Sequence, residues 1–248
     1  ARRVARDQTL LGGGPYRFLD FYDVEDAEVF FGREQQVADV MEMISEHPLS
    51  VLFGASGRGK TSLLCAGVVA AMQEEAREDE GRPWLPVYVR CGEDPLENIK
   101  DAVSEALKDL GRAAPDRGGE LADLLGEAIE SSGHLLVLIV DQFEEYFVKL
   151  GDRTQAEVAR QLAEALATET DKLRVLLSIR EDYLGQLYSL DEYLPEIMHN
   201  AYRLNKLSPE QAERSTIKPA ASFGIHVEKD LVHQMLLDLA RDDGVEPA

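Results

Sequence analysis

Apolar positions along this chain recur with two alternating periods. From Arg33 onward, Val37, Val40, Met41 and Ile44 fall at i, i+3, i+4 and i+7, which predicts a helix that Pro48 ends. Leu49 to Phe53 reads as a short strand running into a glycine-rich segment, and beyond Thr61 the residues Leu64, Val68 and Met72 share one helical side. A second strand is expected at Leu85 to Arg90, then a helix marked by Leu96, Ile99, Val103, Leu107 and Leu110, and a shorter helix over Glu120 to Glu130. Leu135 to Val140 is apolar on both faces, as a central parallel strand covered by helices would be. Val158, Leu162 and Leu166 mark another helix, Leu173 to Ile179 a fourth strand and Ala201 to Leu204 a short fifth.

At Ser208 the pattern changes. Ser208-Pro209-Glu210-Gln211 supplies a capping residue, a proline at the first helical position and a glutamine three residues after the cap. A further helix is expected from Glu228, with Leu231, Val232, Met235, Leu236 and Leu239 on one stripe. Alternating strands and helices imply a parallel α/β sheet followed by a small helical subdomain. The expected division is a lead segment over 1–22, a nucleotide-binding core over 23–207 and a helical lid over 208–248, the whole a piece of a longer protein. Gly12-Gly13-Gly14-Pro15 gives the opening the character of a flexible or draped segment.

Composition narrows the function classes. The 248 residues carry 26 basic and 47 acidic side chains, a formal net charge of −21, where a protein built to neutralise nucleic-acid phosphates normally has a basic face. Part of the excess lies in Glu74 to Glu80, which reads as a solvated loop. The longest apolar stretch is too short to span a bilayer. Cys65 and Cys91 have neither metal-ligand spacing nor companions for a disulfide framework, which fits a cytoplasmic protein.

The candidate chemistry starts at Gly54-Ala55-Ser56-Gly57-Arg58-Gly59-Lys60-Thr61, a G-x-x-x-x-G-K-T run with the required strand before it and helix after it. Glycines let backbone N–H groups turn inward around phosphates, and the following helix points its positive end at the same anion. Ser56, Gly57, Arg58, Gly59, Lys60, Thr61 and Ser62 are the expected phosphate-side contacts for ATP or ADP, with Lys60 bridging the β- and γ-phosphates and the Thr61 hydroxyl on Mg²⁺. Asp141 follows the buried apolar run and so emerges at the carboxyl edge of the sheet, where it would hold Mg²⁺ through water; a helix N-cap fits the same position. Glu144 and Glu145 are both candidates to orient the attacking water, and both also fit as acids in a helix's first turn. Gln142 stands where many hydrolysing ATPases carry a glutamate, which implies slow turnover. Arg180 ends the fourth strand and would face the γ-phosphate if that strand lies between the loop strand and the Asp141 strand; the alternative is a surface arginine paired with Glu181 or Asp182.

With these residues in place, the sequence resembles the STAND class of signal-transduction ATPases, close to the AAA+ proteins, and within it the bacterial novel STAND group. The resemblance rests on Asp26 to Glu34, Gly54 to Thr61, Val140 to Phe147, Ser178 to Leu184 and the element from Lys218 to Gly224. It implies a P-loop NTPase fold of three α/β/α layers around a parallel five-stranded sheet in the order 5-1-4-3-2. It also implies that Phe31, Gly32 and Arg33 lie at the adenine end of the nucleotide and that Pro219 borders the base from the helical subdomain; residue by residue, Phe31 reads equally as core and Pro219 as a helix kink. Members of the class typically flank the NTPase with an N-terminal effector and C-terminal sensor repeats, and many bacterial members are thought to act in conflict with phages; the resemblance thus implies flanking domains for this chain, and further copies of itself are expected as partners on activation. Neither a winged-helix histidine nor a repeat array is evident here, and His226 and His233 read as incidental.

The function expected is therefore a nucleotide-controlled switch with slow ATP hydrolysis, whose partners are the nucleotide, further copies of itself and flanking domains, with no membrane and no direct nucleic-acid binding. A AAA+ loader or remodeller acting on protein or nucleic acid is the alternative, and a small-metabolite kinase is disfavoured by the lack of an arginine cluster for a phosphate lid.

Overall fold

The computed structural model describes residues 14–17, 20–78, 84–169, 171–195 and 197–242. Most of the opening segment read as flexible, residues 1–13, lies outside them.

Strands β1 (Leu49–Gly54), β2 (Trp84–Arg90), β3 (Leu135–Asp141), β4 (Leu173–Arg180) and β5 (Ala201–Arg203) form one sheet in the order β2-β3-β4-β1-β5. All pairings are parallel, so every carboxyl end lies on the same edge. Numbered from the far side, this is the expected 5-1-4-3-2 order. β4 sits between β1 and β3, with Gly54 opposite Arg180 and Val140 opposite Leu177.

The sheet has helices on both faces, and β3 shows why its sequence is apolar throughout. Val137 and Ile139 pack with Val40, Ile44, Leu64, Val68 and Met72 on one side, whereas Leu136, Leu138 and Val140 pack with Val103, Leu107, Leu125, Val158 and Leu162 on the other. The first face is covered by α1 (Glu34–Glu46) and by a continuous helix made of α2 (Lys60–Ser62), a π-helical stretch (Leu63–Val69) and α3 (Ala70–Glu78). The second is covered by α4 (Pro95–Asp109), α5 (Leu121–Ser132) and α7 (Asp152–Thr168). Burying both faces removes the polar alternation that a half-exposed sheet would show.

Two parts differ from the reading of the sequence. The acidic run from Glu74 is helical as far as Glu78, with 79 and 80 outside the described residues; Glu74, Glu75 and Arg77 lie on the exposed side of α3 while Met72 faces the core, and Trp84 Nε1 donates to Glu75 at 2.9 Å. Short elements without a long apolar period also appear: 3₁₀ segments at Val24–Val29 and Glu181–Leu190 and the two-turn α6 (Glu144–Lys149). Past the sheet, α8 (Pro209–Ser222) begins with the full capping box, Ser208 accepting from the Gln211 N–H at 3.2 Å and Gln211 accepting from the Ser208 N–H at 2.9 Å. α9 (Lys229–Asp242) follows and packs on α8. Among the described residues no helix is long and apolar enough to cross a membrane.

Candidate nucleotide site

The loop between β1 and α2 is shaped by two glycines with left-handed backbone, Gly57 at φ 75° and Gly59 at φ 84°, a conformation that costs any residue with a Cβ. Lys60 opens the helix and folds back over the loop, its Nζ donating to the Gly54 carbonyl at 2.9 Å and the Ala55 carbonyl at 3.4 Å. Burial pushes the Lys60 ammonium below its ordinary pKa, and the carboxylates of Glu144 and Asp141 oppose that shift. Ser56 stands exposed in the loop, and the Ser62 hydroxyl accepts from the Tyr22 N–H at 3.1 Å.

Asp141 ends β3 and is 1% exposed. Its Oδ2 accepts from the Thr61 hydroxyl at 2.6 Å and from the Tyr88 hydroxyl at 3.0 Å. It does not cap the following helix, whose N-cap position is Phe143. Thr61 and Asp141 thus bring two hard oxygen donors together at the mouth of the loop, a set that fits Mg²⁺. Among the described residues no group of three His, Cys, Asp or Glu could hold a metal; Mg²⁺ is usually bound by one or two protein carboxylates together with substrate phosphates and water.

Beyond Asp141 the chain turns sharply. Gln142 takes a left-handed backbone at φ 56°, unusual for a residue with a side chain, and the Phe143 N–H donates to the Ser178 carbonyl of β4 at 2.8 Å. The turn delivers the two adjacent glutamates to different surroundings. Glu144 Oε2 accepts from the Arg180 N–H at 3.2 Å, and among the carboxylates Glu144 acts most strongly on the Lys60 charge. Glu145 is held by the Gly92 N–H at 3.0 Å and by Lys149 at 3.0 Å. Arg180 lies at the same sheet edge, directly across from Gly54; its guanidinium pairs with Asp182 at 2.7 Å and lies over the Tyr183 ring. β4 thus has the position that the sensor reading of Arg180 requires, while the guanidinium itself forms the Asp182 pair of the alternative reading.

A cavity of about 260 Å³ adjoins the loop and reaches α8. Phe31, Arg33, Gly57, Arg58, Gly59 and Ser62 line it, together with Tyr22, Leu207 and Ser215. Arg33 is buried and donates to the Arg58 carbonyl at 3.0 Å, tying the start of α1 to the loop; burial lowers its pKa. Gly32 works from behind. At φ 88°, an added Cβ would lie 2.5 Å from the Gln211 carbonyl, so only glycine lets α8 close this nearly on the core. Pro219 is buried in the last turn of α8, and Ser215, one turn earlier, is the α8 residue that lines the cavity. A larger open hollow of about 660 Å³ lies across Phe30 and Arg33, among α1 and α3, away from Lys60 and Asp141.

Tyr22, Leu207, Ser215 and Tyr88 escaped the sequence reading. The first three come from segments with no motif and meet only in space. Tyr88 lies within an apolar strand and left one trace, its position two residues before Arg90 at the same carboxyl edge as Asp141.

Solved structures with this architecture include a Walker-type ATPase of Pyrococcus abyssi, 14% identical over 88% of this chain and 65% of that one, with a TM-score of 0.63. The ORC2 protein of Aeropyrum pernix, in ADPNP-ADP complexes, is 18% identical over 76% of this chain and 52% of that one, with a TM-score of 0.55. The ORC1 protein of Aeropyrum pernix, solved in complex with DNA, is 16% identical over 80% of this chain and 52% of that one, with a TM-score of 0.52. At these identities the likeness establishes the fold, and the chain spans only about half to two thirds of those proteins. A comparison with curated proteins finds no match. The family model for Novel STAND NTPase 1 matches residues 15–247, nearly the whole length, and the chain belongs to that family of P-loop NTPases.

Proposed function

We propose that this chain is the ATP- and ADP-binding regulatory module of a STAND-type signalling switch, with slow ATP hydrolysis and nucleotide-controlled self-assembly. The observation that carries the reading is the cavity shared between the phosphate loop and α8, with Gly32 packed against Gln211 behind it. A nucleotide seated there touches the core through Gly57, Gly59 and Lys60 and the helical lid through Ser215, so its presence bears directly on how the lid sits. ADP would favour the closed arrangement. A γ-phosphate adds negative charge at the sheet edge that holds Lys60, Glu144 and Arg180, and so favours a different one.

Lys60 would leave its loop carbonyls for the phosphates, and Arg180 would exchange Asp182 for the γ-phosphate. Glu144 orients the water in this assignment, since it faces Lys60 and the Arg180 backbone. Thr61 and Asp141 would hold Mg²⁺, which would neutralise phosphate charge. To carry the switch from 1:99 to 99:1, ATP must favour the open arrangement by about 5.5 kcal/mol more than the closed one. Defence against phages is the setting that the family resemblance suggests for such a switch.

Mass analysis of nucleotide released on denaturing the purified protein tests the reading. ADP near one per chain, with little steady-state turnover, is expected. Lys60→Ala removes charge-assisted bonds to two phosphates, about 3 kcal/mol or roughly a hundredfold in affinity. Unchanged affinity would remove the site assignment, and turnover strongly stimulated by DNA would replace the switch with a loader.

A further inference from the structure

Asp141 is served by two hydroxyls on the same oxygen, and only one of them belongs to the nucleotide-binding loop. The other comes from Tyr88, a residue of the neighbouring strand that no phosphate motif includes. We infer that Tyr88 is the positioning residue of Asp141: it fixes the carboxylate's orientation and so sets how tightly the site takes a divalent cation together with nucleotide. The inference rests on the nucleotide-site reading above and deepens it.

The geometry argues as follows. A carboxylate only accepts, so the 3.0 Å contact places the phenol proton on Asp141 Oδ2. Thr61 gives its proton to the same atom at 2.6 Å, and among the described residues Oδ1 receives no hydrogen bond. Two donors on one oxygen pin the rotation of an enclosed carboxylate and leave Oδ1 unused by them. The two donors are unequal in stiffness. Thr61 lies in the loop-helix junction, and its hydroxyl must also serve the cation. Tyr88 has its ring packed in the core cluster that contains Ile139 and Val137, and it lies on the same face of β2 that Asp141 occupies on β3, since Arg90 is opposite Asp141 and Tyr88 opposite Ile139. That packing holds the hydroxyl beside Asp141. Arg90 and Cys65 neighbour the same phenol, and of the groups around it the Asp141 carboxylate is the strongest acceptor for its proton. Partners of this kind behind a metal ligand are worth about 10- to 100-fold in metal affinity.

Tyr88→Phe keeps the ring and removes the hydroxyl. The measurement is binding of a fluorescent non-hydrolysable ATP analogue during Mg²⁺ titration, repeated in EDTA, with Mn²⁺ binding followed by electron paramagnetic resonance in the presence of the analogue. The expected result is a Mg²⁺ midpoint raised about tenfold, Mn²⁺ binding weakened in parallel, and affinity in EDTA and thermal midpoint nearly unchanged. An unchanged Mg²⁺ midpoint overturns the assignment, as does an equal loss of affinity with and without cation, which would make Tyr88 a packing residue of the pocket. A wild-type protein that, once freed of bound ADP, binds no analogue at any Mg²⁺ concentration overturns the nucleotide site and this role with it.

Discussion

Glu144 and Glu145 begin the same short helix, yet Glu145 has both carboxylate oxygens engaged, one by the Gly92 N–H and one by Lys149, while Glu144 has one oxygen on the Arg180 N–H and the other without a partner among the described residues. A base that must accept a proton from water needs a lone pair facing the site. Glu144 has one, at the sheet edge beside the Arg180 N–H; Glu145 faces the β2–α4 turn. Glu144→Gln is therefore expected to slow single-turnover hydrolysis by about a hundredfold, the lower end for a lost general base, with nucleotide affinity little changed. Glu145→Gln should keep the rate within a few-fold and instead lower stability by about 1 kcal/mol, through weaker bonds to Gly92 and Lys149. Single-turnover rates and denaturant unfolding separate the two effects, and the reverse pattern would transfer the role to Glu145. Gln142 fits the same picture. Its left-handed backbone makes the turn between Asp141 and the helix that Glu144 opens.

Among the elements, α8 is the one whose placement decides between a plain nucleotide-binding core and a switch. Its first turn rests on Gly32, where an added Cβ meets backbone rather than a yielding side chain, at a φ that L-residues rarely adopt. Gly32→Ala is expected to lift α8 from the core, lower the affinity for ADP several-fold and shrink the stabilisation that ADP gives to thermal unfolding. Scanning unfolding with and without ADP checks this, and a variant with the wild-type ADP shift would mean that α8 takes no part in holding nucleotide. How far these elements were legible in the sequence depended on how each is stabilised. The long helices and the five strands were readable because burial imposes a period on their apolar residues, and α8 because its capping box and first-turn proline are local chemistry. The strand order came from family resemblance, since pairing in a parallel sheet leaves no local signal. α6 and the 3₁₀ segments were not readable as separate elements, being too short for a period to show. The α3 acidic run was misread because charge on the solvated side of a helix and charge in a loop look alike until the buried residue beneath is known. The phosphate side of the site was legible from its spacing, whereas Tyr22, Leu207 and Ser215 come together only through the fold.

Over the whole molecule, charge decides which anions the site can attract. The chain carries 26 basic against 47 acidic side chains, yet Arg33, Arg58, Lys60 and Arg180 gather around the carboxyl edge of the sheet. A local group of cations in a half-buried cleft suffices for one nucleotide, whose phosphates are met at short range where salt screens little. A polyanion needs phosphate contacts spread along a surface, and each contact carries its own salt dependence. On a molecule of net charge −21, those contacts would be opposed by the surrounding carboxylates. Labelled single-stranded and duplex DNA should therefore show no anisotropy change with micromolar protein at about 0.15 M salt, where the Debye length is about 8 Å, while binding of the ATP analogue persists under the same conditions. DNA binding that survives at this ionic strength would instead require a basic surface supplied outside the described residues, and would move the protein from switch toward loader.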